Sequence, residues 1–210
     1  MSEEAFPHLD RLRQAYDRDA GRRDQLQDLQ WRTGVLDGWL RELPSAPRLL
    51  ELGPGTGQLA LYAQAQGAHV QAVDLSPQNV ARCRERGIAA QVGNFRALDS
   101  LEGLGLFEGV YSINALLHVP RAEHAGVLSA VRRRLVPGGS LLLVNWGGRA
   151  SEGLYEADSC DPPRFFSLHD DASFGALEFE GFEATRRELL TDHAANGLHP
   201  QLLVLRRRGA

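Results

Sequence analysis

"LLELGPGTGQLA", Leu49 to Ala60, runs from an apolar segment straight into glycines at positions 53, 55 and 57. Glycine costs backbone entropy, so this crowding is expected where the chain bends sharply or lets another group come very close. Three explanations compete: a packing turn, a dinucleotide site, and a site for another adenosine-containing ligand. One or two glycines would suffice for a turn that only packs helix on strand.

Working outward from this loop, short apolar runs alternate with helical patterns. "RLLEL" (48–52) reads as a strand and "TGQLALYAQAQG" (56–67) as a helix. "HVQAVDL" (69–75) is a second strand, followed by the helix "SPQNVARCRERG" with Ser76 as N-cap and Pro77 in its first turn. Further strands fall at 88–94, 107–113 and 140–146, with a helix at 122–135. This alternation predicts βαβ units, hence an α/β, doubly wound, mostly parallel sheet with helices on both faces. "FEATRRELL" (182–190) and "HPQLLVLRR" (199–207) are strand-like, but the link between them is too short for a crossover helix. They are predicted to form a C-terminal antiparallel hairpin, which brings the sheet to seven strands.

The first 43 residues read differently. Leu9, Leu12 and Tyr16, then Leu26, Leu29, Val35, Leu36, Trp39, Leu40 and Leu43, recur at helical intervals among charges. They predict two amphipathic helices broken near Gly21, with Pro44 and Pro47 stopping the second. We read residues 1–43 as a helical extension or lid and 44–210 as the main domain.

Composition narrows the function. With 43% hydrophobic and 24% charged residues, the chain can bury a core and carries no disordered tract. Its formal net charge of -4 argues against a protein that holds nucleic acid through phosphate contacts. No apolar run approaches the length of a membrane span. The acidic start "MSEEAFPHLD" lacks the apolar core of a signal peptide, so a cytoplasmic location is expected. Cys83 and Cys160 are too few for a disulfide framework, and the seven histidines form no metal-ligand spacing. No metal is expected.

In an open parallel sheet, ligands bind beyond the carboxyl ends of the strands where the winding reverses. The loop from Gly53 to Gly57 falls there. Asp74, ending the second strand, is placed to accept hydrogen bonds from the hydroxyls of a ribose lying across the strand ends. "GTGQLA" (55–60) even satisfies GxGxxA. That frame starts two residues late, however, and Glu51 puts a carboxylate where a pyrophosphate would be repelled. A ligand with a cationic amino group would be welcomed. The balance favours a cationic adenosine.

"LLELGPGTG", "VDLSPQNV", "LLHV" and "LVPGGSLLLV" together resemble the successive motifs of class I S-adenosylmethionine-dependent methyltransferases. The resemblance covers about residues 48–146 and implies a Rossmann-like sheet that binds S-adenosyl-L-methionine. By the same resemblance Gly53, Gly55 and Gly57 line the methionine and ribose portion, with Glu51 near the amino group. Asp74 takes the ribose hydroxyls and Leu75 packs on the adenine. Asn94 stands where the family commonly has an acid for the adenine amino group; its amide oxygen can still accept that bond. Phe95 borders the adenine, while Asn114 and Ala115 border the methionine arm.

Methyl transfer is an in-line displacement at a sulfonium carbon, and the protein mainly aligns the nucleophile. A general base is needed only if the acceptor carries a proton when it attacks. His118, after the fourth strand, is the best candidate; a packing role over the cofactor is the competing reading. Tyr16, Trp31, Trp146 and Arg149 are expected to contribute to a pocket for a small-molecule acceptor. A non-catalytic S-adenosylmethionine-binding or sensing module is the main alternative. An NAD(P)-dependent oxidoreductase is disfavoured because the chain contains no lysine for a Tyr-x-x-x-Lys pair.

Overall fold

Alternate side chains of a strand face opposite sides of its sheet, and the central strands here are apolar on both. The computed structural model describes residues 7–23, 29–155 and 158–209. Its strands are β1 (Arg48–Leu52), β2 (His69–Asp74), β3 (Ala89–Val92), β4 (Phe107–Ile113) and β5 (Leu135–Gly147). They continue with β6 (Ser151–Leu154), β7 (Phe165–Leu168), β8 (Phe182–Leu189) and β9 (His199–Arg207). Leu50, Leu52, Val110, Leu141 and Leu143 enter one core cluster. Their neighbours Leu49, Tyr111, Leu142 and Val144 enter the other. Burial on both faces is what a parallel sheet between two helical layers requires.

Seven strands pair in the order β3-β2-β1-β4-β5-β9-β8. The first five run parallel, while β9 is antiparallel to both β5 and β8. The doubly wound sheet with its terminal antiparallel hairpin is therefore as expected. The order reverses between β1 and β4, which opens a crevice at Gly53 and Asn114.

The helices are α1 (Pro7–Arg23), α2 (Gln30–Leu40), α3 (Gln58–Ala65), α4 (Pro77–Glu85), α5 (Arg121–Arg134) and the short α6 (Asp171–Gly175). Residues of α2, α3 and α4 fill the Leu49 face, and Val127, Leu128 and Val131 of α5 fill the other. Ser76 caps α4 as predicted, its Oγ accepting from Asn79 N at 3.1 Å, with Pro77 next. Trp39 of α2 is fully buried. Its ring lies so close to Gly109 that a β-carbon there would come within 2.6 Å. Its Nε1 donates to Ser140 Oγ at 2.8 Å.

Two expectations are revised. α1 continues through Gly21 to Arg23 and α2 starts at Gln30; residues 24–28, with Leu26, lie outside the described residues. One interior glycine costs a helix only about 1 kcal/mol, too little to end one anchored along its length. β5 begins at Leu135, which pairs with Phe107 across a register shift, rather than after the "VPGG" turn. After β5, β6 and β7 pair antiparallel as a separate hairpin.

Candidate functional site

The loop after β1 adopts the left-handed backbone that its glycines permit, with φ of +73° at Gly53, +57° at Gly55 and +85° at Gly57. Gly53 N donates to Val73 O at 2.8 Å, which turns the chain back over β2. A β-carbon at Gly53 would lie 2.4 Å from that of Ala115, whereas one at Gly55 would meet nothing within 4 Å. Gly53→Ala is therefore expected to destabilise the fold by about 2–5 kcal/mol, combining left-handed strain with overpacking. Gly55→Ala should cost only the strain, about 1–2 kcal/mol. Urea unfolding of the two variants checks this ranking; equal losses would contradict it.

Asp74 is 6% exposed and ties this loop to the start of α4. Its Oδ2 accepts from Gly55 N at 3.0 Å, and its Oδ1 from Ser76 N at 2.8 Å and Asn79 Nδ2 at 3.3 Å. Glu51 lies one strand away, 2% exposed, and accepts from the Tyr111 hydroxyl at 2.8 Å. Burial pushes its carboxyl up to about 8, and the neighbouring Asp74 adds to the rise, against the lowering effect of the Tyr111 hydrogen bond. Asn114 has a positive φ of 61°, and its buried Oδ1 has no hydrogen-bond partner. Glu51, Asn114 and Asp74 all line the cleft above the glycine loop. That cleft therefore presents these acceptors together, with Arg32 and Arg96 also in its lining.

Leu75, Asn94, Phe95 and Ala115 line the same cleft, so nine of the ten residues expected around the cofactor border it and Gly57 does not. Gly57 packs below the loop, where a β-carbon would meet Ile88 and Cys83. Asn94 has a second task, since its Oδ1 accepts from Arg96 N at 3.0 Å and caps the following 3-10 turn. Leu9, Leu12 and Tyr16 of α1 form a roof over the cleft. Asp17 fastens that helix to α4, accepting from Ser76 Oγ at 2.5 Å and Gln78 N at 3.3 Å. His118 is 4% exposed and also lines the cleft. Its Nδ1–H donates to Phe165 O at 2.7 Å, which leaves Nε2 to accept from the Tyr16 hydroxyl at 2.5 Å.

The rest of the expected acceptor pocket lies elsewhere. Trp146 and Arg149 line a second cavity of about 410 Å³, with Tyr155, Phe166 and Leu154 from the β6–β7 hairpin region. Trp31 is 9% exposed. It packs edge-on to Trp146 at 6.2 Å and stacks on His193 at 5.6 Å. Tyr16 thus joins the cofactor cleft, Trp146 and Arg149 join the neighbouring cavity, and Trp31 belongs to the packing behind Trp146. Phe166 stands beside His118, with ring centroids 4.8 Å apart. Among the described residues no group of His, Cys, Asp and Glu could hold a metal ion, and both cysteines are buried and outside any disulfide.

Two features had no clear signal in the sequence. Tyr111 reads there only as a strand residue, yet it is the partner of Glu51. Arg164 and Asp158 lie between β6 and β7. They form a partly buried ion pair with Nε–Oδ2 and Nη2–Oδ1 both at 2.7 Å, beside Tyr16.

Residues 49–139 match a family model described as a methyltransferase domain. Over 171 residues the chain is 32% identical to the S-adenosyl-L-methionine-dependent Diels-Alderase iccD of Talaromyces variabilis, covering 70% of this chain and 56% of that protein. Over 101 residues it is 35% identical to the ubiquinone biosynthesis O-methyltransferase of Xanthomonas oryzae pv. oryzae, covering 46% and 41%. The chain thus spans about half the length of the curated relatives it matches. The 1,6-didemethyltoxoflavin-N1-methyltransferase of Burkholderia thailandensis superposes with a TM-score of 0.73 at 18% identity, covering 100% of this chain and 92% of that one. Motif order, the matched segment and the sheet agree: residues 49–139 match a methyltransferase domain, and the sheet has the fold of the class I methyltransferases.

Proposed function

We propose that the protein transfers a methyl group from S-adenosyl-L-methionine to a small-molecule acceptor. The observation that carries this reading is the acceptor-rich end of the cleft. Buried Glu51 and the unpartnered Asn114 Oδ1 suit an ammonium group, and Asp74 at the end of β2 suits the two ribose hydroxyls. A dinucleotide would instead bring a pyrophosphate against two carboxylates. In this reading Gly53, Gly55 and Gly57 give the cofactor backbone contact, Leu75 and Phe95 flank its adenine, and Asn94 accepts from the adenine amino group. Ala115 borders the methionine arm. When bound, the cofactor supplies an electrophilic sulfonium methyl group. The chain's own task is to align the acceptor, keep water out under α1, and take up any proton released.

The acceptor enters, in this reading, through the cavity lined by Trp146, Arg149 and Tyr155, whose aromatic walls suit a planar molecule. We read residues 1–43 as the lid of a domain formed by 44–210. The acidic balance speaks against nucleic acid. No helix among the described residues is long and apolar enough to cross a membrane. Two buried cysteines that form no disulfide fit a reducing, cytoplasmic compartment.

A second reading follows from the Talaromyces relative, whose name pairs dependence on S-adenosylmethionine with a cyclisation. There the cofactor would be held without being consumed. One titration and one assay separate the possibilities. Calorimetry with S-adenosylmethionine, S-adenosylhomocysteine and NADH is expected to give binding of the first two only. Release of S-adenosylhomocysteine on incubation with a panel of small phenols, amines and carboxylic acids then marks transfer. Cofactor binding with no release across the panel would favour the second reading, and binding of NADH alone would overturn both.

A further inference from the structure

We propose that Tyr16 is a catalytic acid–base residue that passes a proton from the acceptor to His118, and that the acceptor therefore attacks through an acidic hydroxyl group. This rests on the methyl-transfer reading and adds to it the proton's route and the acceptor class.

Two polar contacts converge on the Tyr16 oxygen. Its hydroxyl donates to His118 Nε2 at 2.5 Å. The Nδ1–H of the same ring is committed to Phe165 O at 2.7 Å, so Nε2 is the ring nitrogen that meets the Tyr16 hydroxyl. From the other side Arg164 Nη1 donates to the phenol oxygen at 3.2 Å, and its guanidinium lies 5.4 Å from the Tyr16 ring centroid. Arg164 is fixed there by its two-pronged pair with Asp158 and lies 5.2 Å from the Phe166 ring centroid. A tyrosine that only latches a helix needs a single hydrogen-bond partner. This one sits between a base able to take its proton and a cation able to stabilise the phenolate left behind. Tyr16 and His118 both line the cleft that holds the glycine loop and Asp74, so the relay opens into the cleft proposed for the cofactor.

A phenol oxygen exchanges protons best with a group of similar acidity, which points to a phenol-like hydroxyl rather than a tertiary amine with no proton to lose. In the reaction the acceptor oxygen's lone pair forms the bond to the methyl carbon while the carbon–sulfur pair returns to sulfur. The acceptor's proton moves to Tyr16 Oη as the proton of Tyr16 moves to His118 Nε2. The sulfonium's positive charge is thereby exchanged for an imidazolium, which Phe165 O stabilises through Nδ1–H until the proton leaves to solvent.

The test needs no turnover. 4-Nitrocatechol, whose visible absorbance reports its ionisation, is added to protein saturated with S-adenosylhomocysteine at a pH below the free phenol's own transition. The wild type is expected to bind it as the phenolate. Tyr16→Phe and His118→Asn are expected to bind it neutral, with S-adenosylhomocysteine affinity changed by no more than about threefold and cooperative melting retained. Equal ionisation of the probe in wild type and both variants would overturn the relay. A wild type that binds S-adenosylhomocysteine but not the phenol would overturn the acceptor class. Failure of S-adenosylhomocysteine itself to bind the wild type overturns the parent reading, and this one with it.

Discussion

Asp74→Ala is expected to weaken S-adenosylhomocysteine binding by at least about a hundredfold. Hydrogen bonds to an ionised partner contribute about 1.5–3 kcal/mol each, and two ribose hydroxyls would donate to this carboxylate. Every 1.4 kcal/mol is about tenfold in affinity, so losing both bonds amounts to two or more orders of magnitude. The variant also strips acceptors from Gly55 N and Ser76 N, the donors that hold the loop against α4. Stability should fall by about 1–3 kcal/mol for each donor left buried and unmet. The two effects can be told apart. Asp74→Asn keeps one oxygen for Ser76 N but turns an amide N–H₂ toward Gly55 N or the ribose, and is expected to bind with intermediate affinity. Calorimetry on folded samples of both variants, checked by thermal melting, makes the comparison. An alanine variant that still melts cooperatively and binds within about fivefold of wild type would remove Asp74 from the ribose site.

What the sequence disclosed was local in the chain. The run Leu49–Leu52 and the following glycines specify strand and loop within nine residues, Leu49 to Gly57. Ser76 and Pro77 mark the start of α4 by capping chemistry that needs no distant partner. Asp74 was legible because a strand's last residue and the next helix's first turn are fixed by adjacent sequence. The contacts that give the cleft its character were not legible. Tyr16 and His118 are 102 positions apart, and Glu51 and Tyr111 are 60 apart. Neither pair leaves a spacing pattern, because α1 and β4 meet β1 and the turn after β4 only once the sheet has closed. Trp31 sits among charged neighbours in the chain yet is nearly buried, because Trp146 and His193 come to it from the far ends of β5 and the loop before β9. Asn94 shows a further limit. A residue placed by motif alignment to meet a ligand is also the cap of a 3-10 turn, and its two lone pairs allow both.

Glu51 should make both folding and cofactor binding depend on pH. Its carboxyl is raised from 4.5 to about 8 by burial. Between those values the folded chain holds a proton that the unfolded chain releases, so stability is greatest below the lower value and falls as pH rises through the higher one. The slope approaches about 1.4 kcal/mol per pH unit for this one proton and levels off above pH 8. Glu51→Gln is neutral throughout and keeps an oxygen to accept from Tyr111. Its stability curve should be flatter over this range, and it should melt higher than wild type at alkaline pH. In binding the order reverses. A cationic amino group beside Glu51 favours the carboxylate, so the wild type should release close to one proton on taking up S-adenosylhomocysteine near neutral pH. The apparent binding enthalpy should then become more favourable in buffers whose protonation is more exothermic. The glutamine variant should bind more weakly and show no buffer dependence. Wild-type enthalpies that do not change between phosphate and Tris would place the amino group away from Glu51 and leave Asn114 Oδ1 as its nearer acceptor. A variant that is more stable at alkaline pH and a poorer binder would mean that the cleft maintains a buried carboxyl, at a cost to the fold, for the charge of its ligand.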